Sequence, residues 1–381
     1  MKKFICAPMA TLSHEAFRLA VETFGGCDEY FTEMINASSL LTMGPFEKYY
    51  LLDGPCPEKI VWQLTGWDID HMTQAAGLLS QKAGIGIDLN MGCSAPQIYK
   101  TGAGISWMLK PLEESRKLVK EVKSILPREK RLSVKCRLGA EDFTEDSFFT
   151  FTDMLVQEGV QCITLHPRTI KEKYRGNPKY SYAAKLTDRY KNDDVEIILN
   201  GNISDYASTR YALSQAPDCS GLMIARAAAV KPWIFDQIRS QLSAEEKGIL
   251  YEANHKVDRK KIALDFIENV QKCQPQEFWK TRIQRFFNYY CQQFKFGHYF
   301  QSRLLNYKGI EESVFEINDY FEKQTIKAGE ETDIQKIDLG IGICHFHMGA
   351  EEKNLKGHFK NELPEIQIPK DWEYITSWIA E

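Results

Sequence analysis

The first 240 residues alternate short apolar runs with longer stretches whose apolar positions recur every three or four residues. Eight runs predict strands: Phe4–Ala7, Glu29–Thr32, Ile60–Leu64, Ile85–Asn90, Leu132–Arg137, Cys162–His166, Glu196–Asn200 and Gly221–Ala225. Most are continuously apolar rather than alternating, as expected of strands covered on both faces of a parallel sheet. Between them, His71–Lys82, Leu112–Ile125 and Asp205–Ser214 carry a helical period, and Ser13 and Ser204 stand where helix N-caps belong. Eight such units predict a (β/α)8 TIM barrel, which takes roughly 250 residues. A doubly wound open sheet is the rival, and the lack of a GxGxxG after the first strand argues against it.

From about residue 245 the pattern changes. Lys256–Gln271 and Gln276–Phe294 read as helices with no strand-like run beside them, so a helical domain is expected at 245–325, after a barrel at 1–240. Residues 326–381 form a more polar extension of open role, ending with Trp372, Ile375, Trp378 and Ile379 on one predicted helical face. The hydrophobic fraction of 43% supports a large core. A net charge of −4 means that any nucleic-acid surface must be a local basic patch. Ten cysteines without a CxxC pair suit a reducing compartment. The first apolar run is too short for a signal sequence, and no run approaches the ~18 residues of a membrane span. A cytoplasmic protein with no membrane contact and no required protein partner is expected.

In a (β/α)8 barrel, chemistry gathers at the carboxyl ends of the strands. Those ends carry Pro8 and Met9, Glu33 and Met34, Gln63, Asn90 to Cys93, Lys135 and Arg137, His166, Asn200 to Asn202, and Ala225 with Arg226. Packing alone would place apolar residues there. Asn200-Gly201-Asn202 and Ala225-Arg226 follow strands seven and eight, where such barrels hold phosphate. A phosphate-bearing cofactor such as flavin mononucleotide fits, although Gly201 as a simple strand end and Arg226 as a surface residue fit equally well. Cys93 lies in a glycine-flanked loop and could be a nucleophile or an acid. Lys135 leaves a buried strand, where an ammonium needs an anionic or hydrogen-bonding partner. Phe278 to Ile310 contains no Asp or Glu, while Lys280, Arg282, Arg285, Lys295, Arg303 and Lys308 interleave with aromatics. That is either an RNA-binding surface or a bundle core with a solvated face. Cys344, His345 and His347 look like metal ligands but lack a second Cys pair at zinc-finger spacing, so no metal is expected.

The runs CAPMA, FTEM, WQLTG, DLNMGCSAPQIYKTGAG, SVKCRLG, TLHPRT, LNGNI and MIARAA stand in the order found in tRNA-dihydrouridine synthases, which the chain resembles. The likeness is strong over residues 4–240 and looser over 250–320, the family's helical RNA-binding part. It implies reduction of uridine to 5,6-dihydrouridine in tRNA, with FMN as cofactor and NADPH as reductant. Hydride would pass from FMN N5 to uracil C6 and a proton from Cys93 to C5. Pro8, Met9, Gln63, Lys135, His166, Asn200, Gly201, Asn202, Ala225 and Arg226 would hold FMN. Asn90 would take the uracil edge, and Arg175, Lys280, Arg282 and Arg285 would contact RNA. The usual Gly-Cys-Pro is Gly-Cys-Ser here, so Ser94 removes a rigid residue beside the acid, and the usual Gly-Arg is Ala225-Arg226. Other readings are an FMN barrel acting on a small molecule, a barrel that binds RNA without catalysis, and a synthase acting on ribosomal RNA.

Overall fold

The computed structural model describes residues 2–140, 144–251, 257–327 (side chains to 323), 343, 345–350, 352–353, 355–360 and 377–380. Eight parallel strands close into a barrel: β1 (Lys3–Cys6), β2 (Glu29–Phe31), β3 (Ile60–Thr65), β4 (Gly86–Met91), β5 (Arg131–Cys136), β6 (Cys162–Leu165), β7 (Glu196–Asn200) and β8 (Gly221–Ile224). β1 pairs with both β2 and β8, and β2 with β3, which completes the circle. A two-residue segment, Ile35–Asn36, pairs beside the end of β3; it is too short to leave a periodic signal. All eight predicted strands are present, with boundaries shifted by at most about two residues.

Side chains point alternately into the barrel and toward the surrounding helices. Ile5, Ala7, Phe31, Val61, Cys162, Ile198 and Met223 form one buried cluster, the apolar layer of the interior. Nearer the strand starts, Glu29, Arg131, Glu196 and Lys3 form a network in which Arg131 Nη2 meets Glu29 Oε2 at 2.5 Å. Two positions further along the same inward parity come Gln63, Asn200 and Ala225, and further again Lys135 and His166. The strands therefore do alternate. Large apolar residues on the outward side hide that alternation in the sequence, because helices cover them.

The helices Ile69–Ser80, Leu112–Ile125 and Tyr206–Gln215 fall where the period predicts. The expected caps do not. Ser13 Oγ bonds within its own loop, to Met9 N and Ala7 O, and helix Glu15–Glu22 begins at His14 with no side-chain cap. Asp205, not Ser204, caps Tyr206–Gln215, because its carboxylate reaches Ser208 N at 2.8 Å in a reciprocal capping box.

Helices Arg259–Cys273, Gln276–Tyr290, Gly297–Leu305 and Ile310–Lys327 follow. Arg259–Cys273 packs on Glu15–Glu22, and Gln276–Tyr290 packs on the short helix Arg226–Val230 that follows β8. Met1–Asp319 thus forms one compact unit and Tyr320–Glu381 a second. In the second unit, β9 (Gly357–Lys360) pairs antiparallel with β10 (Ser377–Ala380). This corrects the helical face predicted for the tail: Trp378 and Ile379 are in a strand, and Trp378 packs against Phe346 and Phe359. Trp372, Ile375 and Cys344 lie outside the described residues. Among the described residues, no helix is long and apolar enough to cross a membrane.

Candidate active site

The carboxyl ends of β3, β4 and β5 are tied together by a chain of side chains. Asp88 is fully buried, accepting from Gln63 Nε2 at 2.7 Å and Ser133 Oγ at 2.8 Å. Gln63 Oε1 accepts from Asn90 Nδ2 at 2.9 Å, and Asn90 Oδ1 accepts from the backbone N–H of Cys93 at 2.9 Å and of Gly92 at 3.3 Å. From the next strand end, Arg137 Nε donates to Gly92 O at 3.1 Å and Nη1 to Lys173 O at 3.0 Å. Gly104 lies against the other side of the loop; its φ is +61°, and a Cβ there would stand 2.5 Å from Cys93 O. The loop is therefore held on three sides, and Cys93 on it is half-buried.

Burial and cations dominate the electrostatics. Burial, and then the neighbouring Arg137, lower the Lys135 ammonium to about 8, partly offset by Asp88. Its Nζ makes no hydrogen bond or ion pair with any described residue. Burial also brings His166 down to about 2, helped by Arg137, Lys135, Arg168 and Arg226. A neutral imidazole follows at any working pH. Arg168 Nη1 stands 3.0 Å from His166 Nε2, and a guanidinium can only donate, so the ring proton sits on Nδ1. Burial raises Asp88 to about 6 against the pull of Gln63, Ser133 and Lys135.

β7 ends in a turn that only small residues allow. Gly201 has φ +128°, a Cβ there would lie 3.1 Å from His166 Cδ2, and Asn202 is left-handed at φ +52°. Asn200 Nδ2 donates to Met223 O at 2.8 Å, which ties this end to β8 and hence to Ala225 and Arg226. Arg226 is exposed, its guanidinium 5.1 Å from the Tyr174 ring centre, with Arg137 at 5.5 Å from the same ring. Pro8 and Met9 are half-buried on the loop after β1. Its Thr11 N–H donates to Glu33 Oε1 at 2.5 Å.

Cys93, Lys135, His166 and Arg226 thus converge on one rim, as the barrel register requires. Arg175, Lys280 and Arg285 are exposed, and Arg285 Nε reaches Thr11 Oγ1 at 3.0 Å. Arg282 is a correction. Its side chain is 2% exposed and meets Glu33 Oε2 at 2.6 Å, so it faces the barrel rather than solvent. The aromatics around it are core: Phe266 stacks on Phe286 at 3.8 Å and Phe286 on Tyr290 at 4.9 Å. Sequence reasoning missed Asp88, Arg168 and Tyr174. A lone carboxylate inside the buried run GIDLNM was the signal for Asp88.

The family model for dihydrouridine synthase matches residues 5–328. The chain belongs to the dihydrouridine synthase family. It is an enzyme of that family, as the order of its strand-end motifs implied. A probable tRNA-dihydrouridine synthase of Aquifex aeolicus is 30% identical over 244 residues, 63% of this chain and 74% of the relative. A Xenopus tropicalis relative, tRNA-dihydrouridine(47) synthase [NAD(P)(+)]-like, is 30% identical over 63% of this chain, a match spanning only 36% of its own length. Among solved structures, morphinone reductase aligns over 66% of this chain and 87% of its own, with 11% identity and a TM-score of 0.44. In this synthase the helices beyond residue 258 reach the rim itself, through Arg282 and Arg285.

Proposed function

We propose that the enzyme reduces uridine to 5,6-dihydrouridine in tRNA, using flavin mononucleotide held at the barrel mouth and NADPH as the reductant. The observation that carries this reading is the Cys93 loop, clamped by Asn90, Arg137 and Gly104 beside a rim rich in cations. The names of the relatives, tRNA-dihydrouridine synthase with NAD(P)(+) in one of them, support the substrate and a nicotinamide as reductant.

The residues present suit a flavin. Lys135 offers an ammonium with no hydrogen-bond or ion-pair partner among the described residues, and His166 offers Nδ1–H while Arg168 engages Nε2. Gln63, at the end of β3, and Pro8 and Met9, on the loop after β1, would lie against the ring system. The turn Asn200-Gly201-Asn202, with Ala225 and Arg226, would take the phosphate end. The flavin these residues would hold would, when reduced, supply the hydride for uracil C6.

The remaining work falls to side chains of this chain. Cys93 holds its proton on sulfur until C5 requires it, acting as a general acid rather than a nucleophile. Asn90 keeps the loop in place with Oδ1 and one amide hydrogen, leaving the second for the uracil edge. Arg175, Lys280 and Arg285 are exposed and would pair with RNA phosphates. The target base must leave its stack to reach the rim. Cys93→Ala tests the assignment. It should retain the flavin and oxidise NADPH while dihydrouridine formation is lost; full activity on tRNA would remove Cys93 as the acid.

A further inference from the structure

We infer that Asp88 is a positioning residue that sets which way the amides of Gln63 and Asn90 face, and through them orients the Cys93 loop. An ionised carboxylate only accepts hydrogen bonds. Asp88 Oδ2 therefore draws the NH2 end of Gln63 toward itself, at 2.7 Å. The carbonyl end of Gln63 is left facing Asn90 and takes its Nδ2 at 2.9 Å. Asn90 then has only Oδ1 to present to the N–H groups of Gly92 and Cys93, and these need an acceptor. With the first amide reversed, the NH2 of Asn90 would face two N–H donors and the loop would lose both bonds. Register makes the chain possible, because Gln63 pairs across from Asp88 on the adjacent strand and Asn90 lies two residues further along. Ser133, across the other strand pair, can turn its hydroxyl either way.

The chain reaches the Cys93 loop without touching the thiol, so Asp88 acts on the acid through the backbone that carries it. The inference rests on the function proposed above, but its test reads the loop directly. Asp88→Asn conserves volume. Its new NH2 can face Ser133, which turns to accept, so this variant should label Cys93 with iodoacetamide within about threefold of the parent rate. In Asp88→Asn combined with Ser133→Ala, Gln63 Oε1 becomes the side-chain acceptor left to that NH2, and the chain reverses. Cys93 labelling, followed by peptide mass spectrometry, should rise about tenfold, and dihydrouridine formation should fall by a similar factor. Ser133→Ala alone should leave labelling unaltered. Gln63→Met cuts the chain in its middle and should raise labelling as well, in case the double variant fails to fold. A cooperatively folded double variant, or Gln63→Met, that labels Cys93 at the parent rate overturns the inference. If the parent enzyme makes no dihydrouridine while labelling follows the pattern, the function fails and the positioning role stands.

Discussion

Arg282 and Glu33 join the helical part to the barrel by an ion pair that is 2% and 5% exposed at its two residues. Replacing Arg282 with Met leaves a carboxylate without its counter-charge in a place water does not reach, which costs about 3–5 kcal/mol. Glu33 has one escape, protonation. Burial already pushes its carboxyl above the ordinary range, with Arg282 and the Thr11 N–H pulling it back. Protonating a group of unfolded pKa near 4.3 costs about 4 kcal/mol at pH 7 and about 1 kcal/mol at pH 5. The variant's deficit should therefore be roughly 3–4 kcal/mol at pH 7, a melting point lower by roughly 5–10 °C, and should shrink at pH 5. The sign follows from linkage: the variant's native state takes up a proton that the unfolded chain does not, so its stability rises as pH falls. Urea unfolding at the two pH values measures this. Adding Glu33→Gln removes the stranded charge and keeps an acceptor for Thr11 N–H, so the double variant should recover to within about 1–2 kcal/mol of the parent. An equal deficit at both pH values, or no recovery in the double variant, refutes the argument.

Three further outcomes follow from the same geometry. Lys135→Met removes a half-buried rim ammonium that has no hydrogen-bond or ion-pair partner among the described residues, and flavin affinity should drop by roughly 10–100-fold in a titration of the cofactor-free protein; unaltered affinity would place the flavin elsewhere. Lys280→Gln and Arg285→Gln should each weaken tRNA binding and lower the slope of log affinity against log salt by about 1, whereas an unchanged slope would take that cation off the RNA face. The Asp88 carboxyl, raised to about 6 by burial, gives stability that is complete at low pH and lost as pH rises through its folded value. Thermal melts of Asp88→Asn should accordingly be flatter than the parent's between about pH 4 and pH 6, and parallel profiles would contradict the raised value.

The barrel was legible because its strands are buried on both faces, which turns each into a compact apolar run bounded by polar turns. The rim was legible for the complementary reason. Once the runs are strands, a Lys, a His and an Asn at their carboxyl ends have few reasons to be there except a ligand. What the runs concealed was parity. In IVWQLT and GIDLNM, inward Gln63, Asp88 and Asn90 alternate with outward Trp62, Leu64, Ile87 and Leu89, and apolar cover on the helix side masks the period of two. Asp88 went unassigned although it supports the site, because a carboxylate below the rim touches no expected ligand. Caps were misplaced by one position for a local reason: in Ser204-Asp205 both residues are good caps, and only the reciprocal bond to Ser208 decides between them.

The acid-free stretch at 278–310 shows where a sequence window misleads. Cations without nearby acids suggest an unpaired basic face, yet a fold supplies partners from anywhere along the chain. Arg282 finds Glu33 from 249 residues away, and Arg303 finds Glu316 just past the window. Arg282 and Arg303 are bound to carboxylates, while Lys280 and Arg285 remain exposed. The pairing also separates roles that composition merges. Arg282 fixes the helix against the barrel, and Arg285, about one helical turn on, lies outside and reaches Thr11, whose N–H is bound to the same Glu33. One helix face thus anchors at Glu33 while its exposed edge carries charge beside the rim, so RNA held by that edge, as proposed, would be registered to the strand ends in part through a buried ion pair. Under the proposed function, loosening the pair should therefore weaken tRNA positioning before it weakens flavin binding.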